Sequence, residues 1–153
     1  MTTEIQFYHL LSTPLERALP KLMEKALKGG YRMVIMTDSQ HKAESLNELL
    51  WTYEPSRFLP HGGVDDAQPE EQPIYITYRP ENPNNANVLV VTDGSMVEQL
   101  EGIVKMLDMF DGRDDAQVQS ARKRWKNYKD AGYTLSYIQQ QPNGGWQDMT
   151  KAA

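Results

Sequence analysis

Apolar positions in this chain fall in short blocks of two kinds, and the period of each block predicts its element. Residues 5–11 are apolar or aromatic at Ile5, Phe7, Tyr8, Leu10 and Leu11, which predicts a strand. Thr13, Pro14 and Glu16 then have the spacing of a helix start: a capping hydroxyl, proline at the first helical position, and an acid closing a capping box. Leu15, Ala18, Leu19, Leu22, Met23, Ala26 and Leu27 follow at i, i+3, i+4 spacing and make one apolar stripe. Pro20 lies inside that stripe, where it removes a backbone donor and predicts a kink. Gly29 and Gly30 predict a left-handed stop.

Residues 31–37 form a continuous apolar run through Met33, Val34, Ile35 and Met36, as expected of a strand buried on both faces. Asp38 or Ser39 caps a second helix over 40–51, with Ala43, Leu46 and Leu50 inward. Residues 58–63 lead into an acidic, turn-rich stretch over 64–72. Strands follow at 74–78 and 88–91, separated by a polar turn cluster, and 96–100 reads as a short helical turn. Residues 103–110 fit both periods and are assigned to a strand. Asp114 and Asp115 open the last long helix, which Gly132 ends. Residues 134–139 and 146–149 flank Asn143-Gly144-Gly145, a hairpin signal. Strand and helix alternate with short joints, so the expected fold is α/β: a three-layer α/β/α domain spanning 1–153 with right-handed crossovers. Its sheet is expected to be largely parallel and mixed at the edge. The topology is Rossmann-like without a nucleotide fingerprint, and the last few residues are expected to be disordered.

Length agrees with one domain: 153 residues support one hydrophobic core. The net charge of −5 argues against a protein that coats nucleic acid. The absence of cysteine excludes a disulfide scaffold, a thiolate metal site and a thiol nucleophile, and fits a cytoplasmic location. Residues 1–4 have no signal-peptide character, and no apolar run is long enough to span a membrane.

Candidate chemistry is sparse. Neither GxGxxG nor GxxxxGK[ST] is present, and His9, His41 and His61 have no metal-ligand spacing, so no cofactor and no metal are expected. Asp93-Gly94-Ser95 follows an apolar strand, where open α/β sheets place ligands. A hydrolase would use Asp93 as metal ligand or base and Ser95 as nucleophile; a tight turn explains the same residues. The run from Arg122 to Lys129 stands out, with five of the sixteen basic residues in eight positions and no acid. On a helix, Val118, Ala121, Trp125 and Tyr128 share a face, and Arg122, Lys126 and Lys129 form an adjacent strip. Arg124 lies on the far flank of the apolar face and Lys123 points outward. A basic rim beside an aromatic groove suits a short acidic peptide with a hydrophobic end. It suits single-stranded nucleic acid equally, through phosphates and stacked bases. Without this run, eleven basic groups face twenty-one acidic ones, so an acidic total conceals a local site for an anion. A second patch joins Trp51 and Tyr53 to Phe58, Leu59 and Pro60, residue types that anchor interfaces or plug a sheet edge.

Four stretches resemble the chi subunit family of bacterial DNA polymerase III. They are Phe7-Tyr8-His9-Leu10 with 14–20, Leu49-Leu50-Trp51 with Phe58-Leu59-Pro60-His61, 108–111 leading into Ala121-Arg122-Lys123-Arg124-Trp125-Lys126, and Gly144-Gly145-Trp146. They occur in order from about residue 5 to 147. The resemblance implies a small α/β domain without catalytic activity, an accessory subunit of the replicase. Such a subunit binds the acidic C-terminal tail of single-stranded-DNA-binding protein, which ends in an aromatic residue, and links it to the clamp loader. DNA is then met only indirectly, and a membrane not at all. By motif, Arg122 and Lys126 would receive the acidic groups or the terminal carboxylate with Trp125 beside them; Lys129 joins on helical geometry. The resemblance also implies a face for the psi subunit or a helicase at Trp51, Phe58, Leu59 and Pro60.

Overall fold

The computed structural model describes residues 3–52, 60–64, 68–94 and 102–152. The elements in order are β1 (Glu4–Leu10), α1 (Leu15–Lys28), β2 (Met33–Met36), α2 (Gln40–Thr52), β3 (Gly62–Gly63), β4 (Ile74–Thr77), β5 (Val88–Val91), β6 (Lys105–Asp111), α3 (Asp115–Asp130), β7 (Thr134–Gln140) and β8 (Trp146–Asp148). Short 3-10 turns occupy Pro69–Glu71 and Thr150–Ala152, the latter in the stretch expected to be disordered.

The described strands form one sheet in the order β3-β4-β2-β5-β6-β1-β7-β8. Every pairing is parallel except β7 with β8, the hairpin across Asn143-Gly144-Gly145. The expected α/β architecture with an antiparallel edge is therefore the observed one. β2 and β5 are interior strands, each buried along its whole length. Their side chains alternate between two cores. Met33, Ile35, Val88 and Val90 pack with α1 and α2 residues such as Leu19, Met23, Leu46 and Leu50. Val34, Met36, Leu89 and Val91 belong to the opposite core, which includes Ala121 and Tyr128 of α3. Among the described helices, two cover one face of the sheet and one covers the other. The ambiguous run at 103–110 is a strand because it lies between β1 and β5 and pairs with both.

Several local expectations change. Thr13 does not cap α1: the N-cap is Pro14, with no side-chain cap bond. Gln140, from the far end of β7, instead holds the turn that precedes the helix. Its Oε1 accepts from the amides of Leu11, Ser12 and Thr13, and its Nε2 donates to Thr13 Oγ1 at 2.6 Å. Helix α1 runs unbroken through the buried Pro20. Only Gly30 of the glycine pair is left-handed, at φ 84°; Gly29 stays right-handed. Ser39 is the residue that caps α2, accepting from Lys42 N. β3 is two glycines paired to Tyr75 and Ile76, a strand with no propensity signal. The helical turn expected at 96–100 lies outside the described residues.

Candidate functional site

The single-helix face of the sheet carries the candidate site. On β1, Ile5, Phe7 and His9 alternate with Gln6 and Tyr8, which places all three on the α3 side. The register sets Phe7 opposite Tyr137 of β7, and His9 opposite Phe110 of β6. Helix α3 crosses above them. Asp114 caps it, accepting from the amides of Ala116 and Gln117. Between sheet and helix lies a cavity of about 340 Å³. Phe7, His9, Phe110 and Tyr137 form its floor, and Val118, Ala121, Arg122 and Trp125 its helical wall. The rings meet edge to face: Phe7 lies 5.3 Å from Trp125 and 6.4 Å from Phe110, and Trp125 lies 6.4 Å from Tyr137.

Polar atoms in this cavity are few and placed. His9 stacks on Phe110 at 4.7 Å, and its Nδ1 is 2.5 Å from the Tyr137 hydroxyl. Burial holds His9 below the ordinary histidine range; the Arg122 charge pushes the same way, and Asp111 opposes. Burial raises the Tyr137 phenol while Arg122 draws it down. Arg122 is exposed at the cavity. Lys126 and Lys129 follow one and two turns later on the same exposed strip, beyond the cavity wall, and Lys123 faces outward. Among the described residues none of these four cations has an ion-pair partner. Of the expected site residues, Arg122 and Trp125 therefore meet at the cavity, while Lys126 and Lys129 lie outside it on the exposed face of α3.

Arg124, one of the five basic residues of the run, is 3% exposed and buried against the sheet, so it does not join the other four at the surface. Its Nε and Nη2 donate to Asp108 Oδ2 and Oδ1 at 2.7 and 2.9 Å, and its Nη1 donates to Ser120 Oγ at 2.6 Å. Burial pushes the Asp108 carboxyl up, and the guanidinium pulls it back. The helix thus presents four cations to solvent rather than five. Its fifth is spent fixing the rotation of α3, and with it the position of Trp125.

The other candidates lie apart. Trp51, in the last turn of α2 on the opposite face of the sheet, is 53% exposed, its ring 4.7 Å from that of His61. Pro60 is half-buried; Phe58 and Leu59 lie outside the described residues, as does Ser95. Asp93 braces two loops: its Oδ2 accepts from Asp38 N at 2.5 Å and is 3.7 Å from Lys42 Nζ. No cluster of three potential metal ligands occurs among the described residues, and no described helix is long and apolar enough to cross a membrane. Phe7, His9, Phe110 and Tyr137 were missed as site residues. Their signal was the alternation along β1, which separates Phe7 and His9 from Tyr8.

Fold and site together define an α/β domain with an aromatic-walled cavity, one guanidinium at its opening, and a strip of exposed cations alongside. The chain matches the family described as "DNA polymerase III chi subunit, HolC" over residues 1–136, and it belongs to that family. It is 40% identical over 106 residues to a Rickettsia prowazekii protein named "Probable DNA polymerase III subunit chi". That match covers 67% of this chain and 64% of the relative, so the chain spans less than two thirds of that relative's length. Proteins named "DNA polymerase III subunit chi" from Haemophilus influenzae and Escherichia coli are 26% and 23% identical. These matches cover 89% and 80% of this chain, and 96% and 83% of those proteins.

Proposed function

We propose that this chain is a non-catalytic accessory subunit of the replicative polymerase that captures the acidic C-terminal tail of single-stranded-DNA-binding protein and links it to the clamp loader. The observation that carries this reading is the cavity of about 340 Å³ beside Arg122, on a molecule of net charge −5. That volume is at the small end of ligand pockets, about 300–1,000 Å³. It suits one aromatic side chain, with Trp125 and Phe7 as walls. The tail's terminal carboxylate would meet Arg122, and its acidic residues would follow the strip through Lys126 and Lys129. The negative remainder of the surface disfavours bare nucleic acid, which would need phosphate contacts over a wider area.

A second face on the opposite side of the sheet would hold the psi subunit or a helicase, with the exposed Trp51 as anchor and Phe58, Leu59 and Pro60 as the further residues implied by the family motif. A tryptophan 53% exposed at a helix end supports that reading. Calorimetry with an aspartate-rich peptide ending in phenylalanine tests the first face. Binding should weaken with salt, and Arg122→Ala should cost about 1.5–3 kcal/mol, the loss of a hydrogen bond to a charged group. Tight binding of bare single-stranded oligonucleotide at moderate salt, with none of the peptide, would move the site to nucleic acid.

A further inference from the structure

The cavity holds a second polar donor beside Arg122. Tyr137 lines the cavity, and among the described residues its hydroxyl has one hydrogen-bond partner, His9 Nδ1 at 2.5 Å. Which atom carries the proton decides what that hydroxyl can still do. The other imidazole nitrogen, His9 Nε2, is buried without a partner among the described residues. It lies against the backbone of Gly112, where a methyl group added to the glycine would overlap Nε2 and Cδ2. A proton on Nε2 would be a buried N–H with no acceptor, and such orphan donors are rarer in folded proteins than under-used acceptors. The proton therefore belongs on Nδ1, which donates to Tyr137 Oη. The Tyr137 O–H is left free to donate.

We infer that Tyr137 donates a hydrogen bond to the carboxylate that ends the tail, together with the guanidinium of Arg122, and that His9 is the positioning residue that orients the hydroxyl. This inference rests on the proposed tail site and names the group within it that reads a free chain end. A carboxylate accepts at two oxygens, so a guanidinium and a phenol can serve it at once. A carboxamide, neutral and with one acceptor oxygen, would satisfy the pair poorly. Arg122 supports the arrangement because its charge acts on both rings: it opposes protonation of His9 and favours the ionised phenol of Tyr137. Both effects require it to stand near them at the cavity.

The test uses the full chain and two synthetic peptides, alike except that one ends in a free carboxylate and the other in a carboxamide. Wild type should prefer the free acid. Tyr137→Phe keeps the ring and removes the hydroxyl; it should lose about ten-fold or more of affinity for the acid, the weight of one hydrogen bond to a charged group. Its affinity for the amide should change less than about two-fold, since only the charged partner used the donor fully. His9→Phe should reproduce the loss, and His9→Asn, whose amide can donate from near the Nδ1 position, should restore most of it. That rescue and the acid–amide contrast are readouts that a general loss of structure would not move. Undiminished discrimination in Tyr137→Phe, with wild-type binding intact, overturns the inference and leaves the tail site standing. Failure of wild type to bind either peptide overturns both.

Discussion

Replacing Arg124 should unfold the protein more readily than any loss of the exposed cations. Asp108 and Arg124 are 1% and 4% exposed at their side chains and joined by two parallel hydrogen bonds. Arg124→Met keeps most of the side-chain volume and leaves Asp108 buried without a counter-ion. Breaking a buried pair in this way costs about 3–5 kcal/mol. A domain of this size has about 5–15 kcal/mol in total, so the variant should lose about a fifth of its stability or more. The loss has a pH signature. Burial already pushes the Asp108 carboxyl up, and without the guanidinium nothing opposes that push. Between the unfolded carboxylate value near pH 4 and the raised folded value, the folded variant binds a proton that the unfolded chain does not. Stability of the variant relative to wild type should therefore recover as pH falls, by up to about 1.4 kcal/mol per unit. Combining Arg124→Met with Asp108→Leu removes both charges and should be less damaging than Arg124→Met alone. Urea denaturation followed by tryptophan fluorescence, at several pH values between 7 and 4, measures each quantity. A deficit below about 1 kcal/mol at pH 7, or one that is flat across that range, would refute this account of the pair.

Gln140→Leu removes the acceptor for three amides of the turn before α1; it should cost about 2 kcal/mol or more and increase hydrogen exchange at Leu11, Ser12 and Thr13. His9 is held below its ordinary value by burial and Arg122, against Asp111. As pH falls below about 6.5 the unfolded chain binds a proton that the folded one resists, so stability should decline there, and His9→Phe should flatten that part of a denaturation-versus-pH curve. Gly112→Ala would force a methyl group into His9 and to within 2.7 Å of the Leu10 carbonyl oxygen. It should cost about 1–3 kcal/mol by thermal melting, and it should weaken tail binding by displacing the imidazole.

Most elements were legible because their patterns are local. The apolar runs at 33–36 and 88–91 have the length and β-branched content of strands, and the hairpin at Asn143-Gly144-Gly145 carried its own turn chemistry. What was not legible depends on partners distant in the chain. Thr13 reads as a cap until Gln140, 127 residues away, arrives at the same turn. Arg124 reads as one more cation in a basic run until Asp108 is seen beneath it. One clue was present: Asp108 is the lone charge inside an apolar stretch of β6, and a buried carboxylate requires a counter-ion. Half of the candidate site followed from helical spacing, which put Trp125 beside Arg122. The other half, Phe7, His9, Phe110 and Tyr137, needed the register of three strands, because adjacency across a sheet has no period in sequence. β3 left no trace, since two glycines have no side chains to pattern.

The central claim is that an acidic chain end occupies the cavity under α3. Titrating the isotope-labelled protein with the aspartate-rich, phenylalanine-ended peptide and following backbone amide shifts locates the contact directly. The account predicts the largest shifts at 7–9, 110, 118–129 and 137, with Lys126 and Lys129 moving alongside Arg122 and with Trp51 unmoved. Shifts centred on α2 and Trp51, or none at 118–129 under saturating peptide, would contradict it.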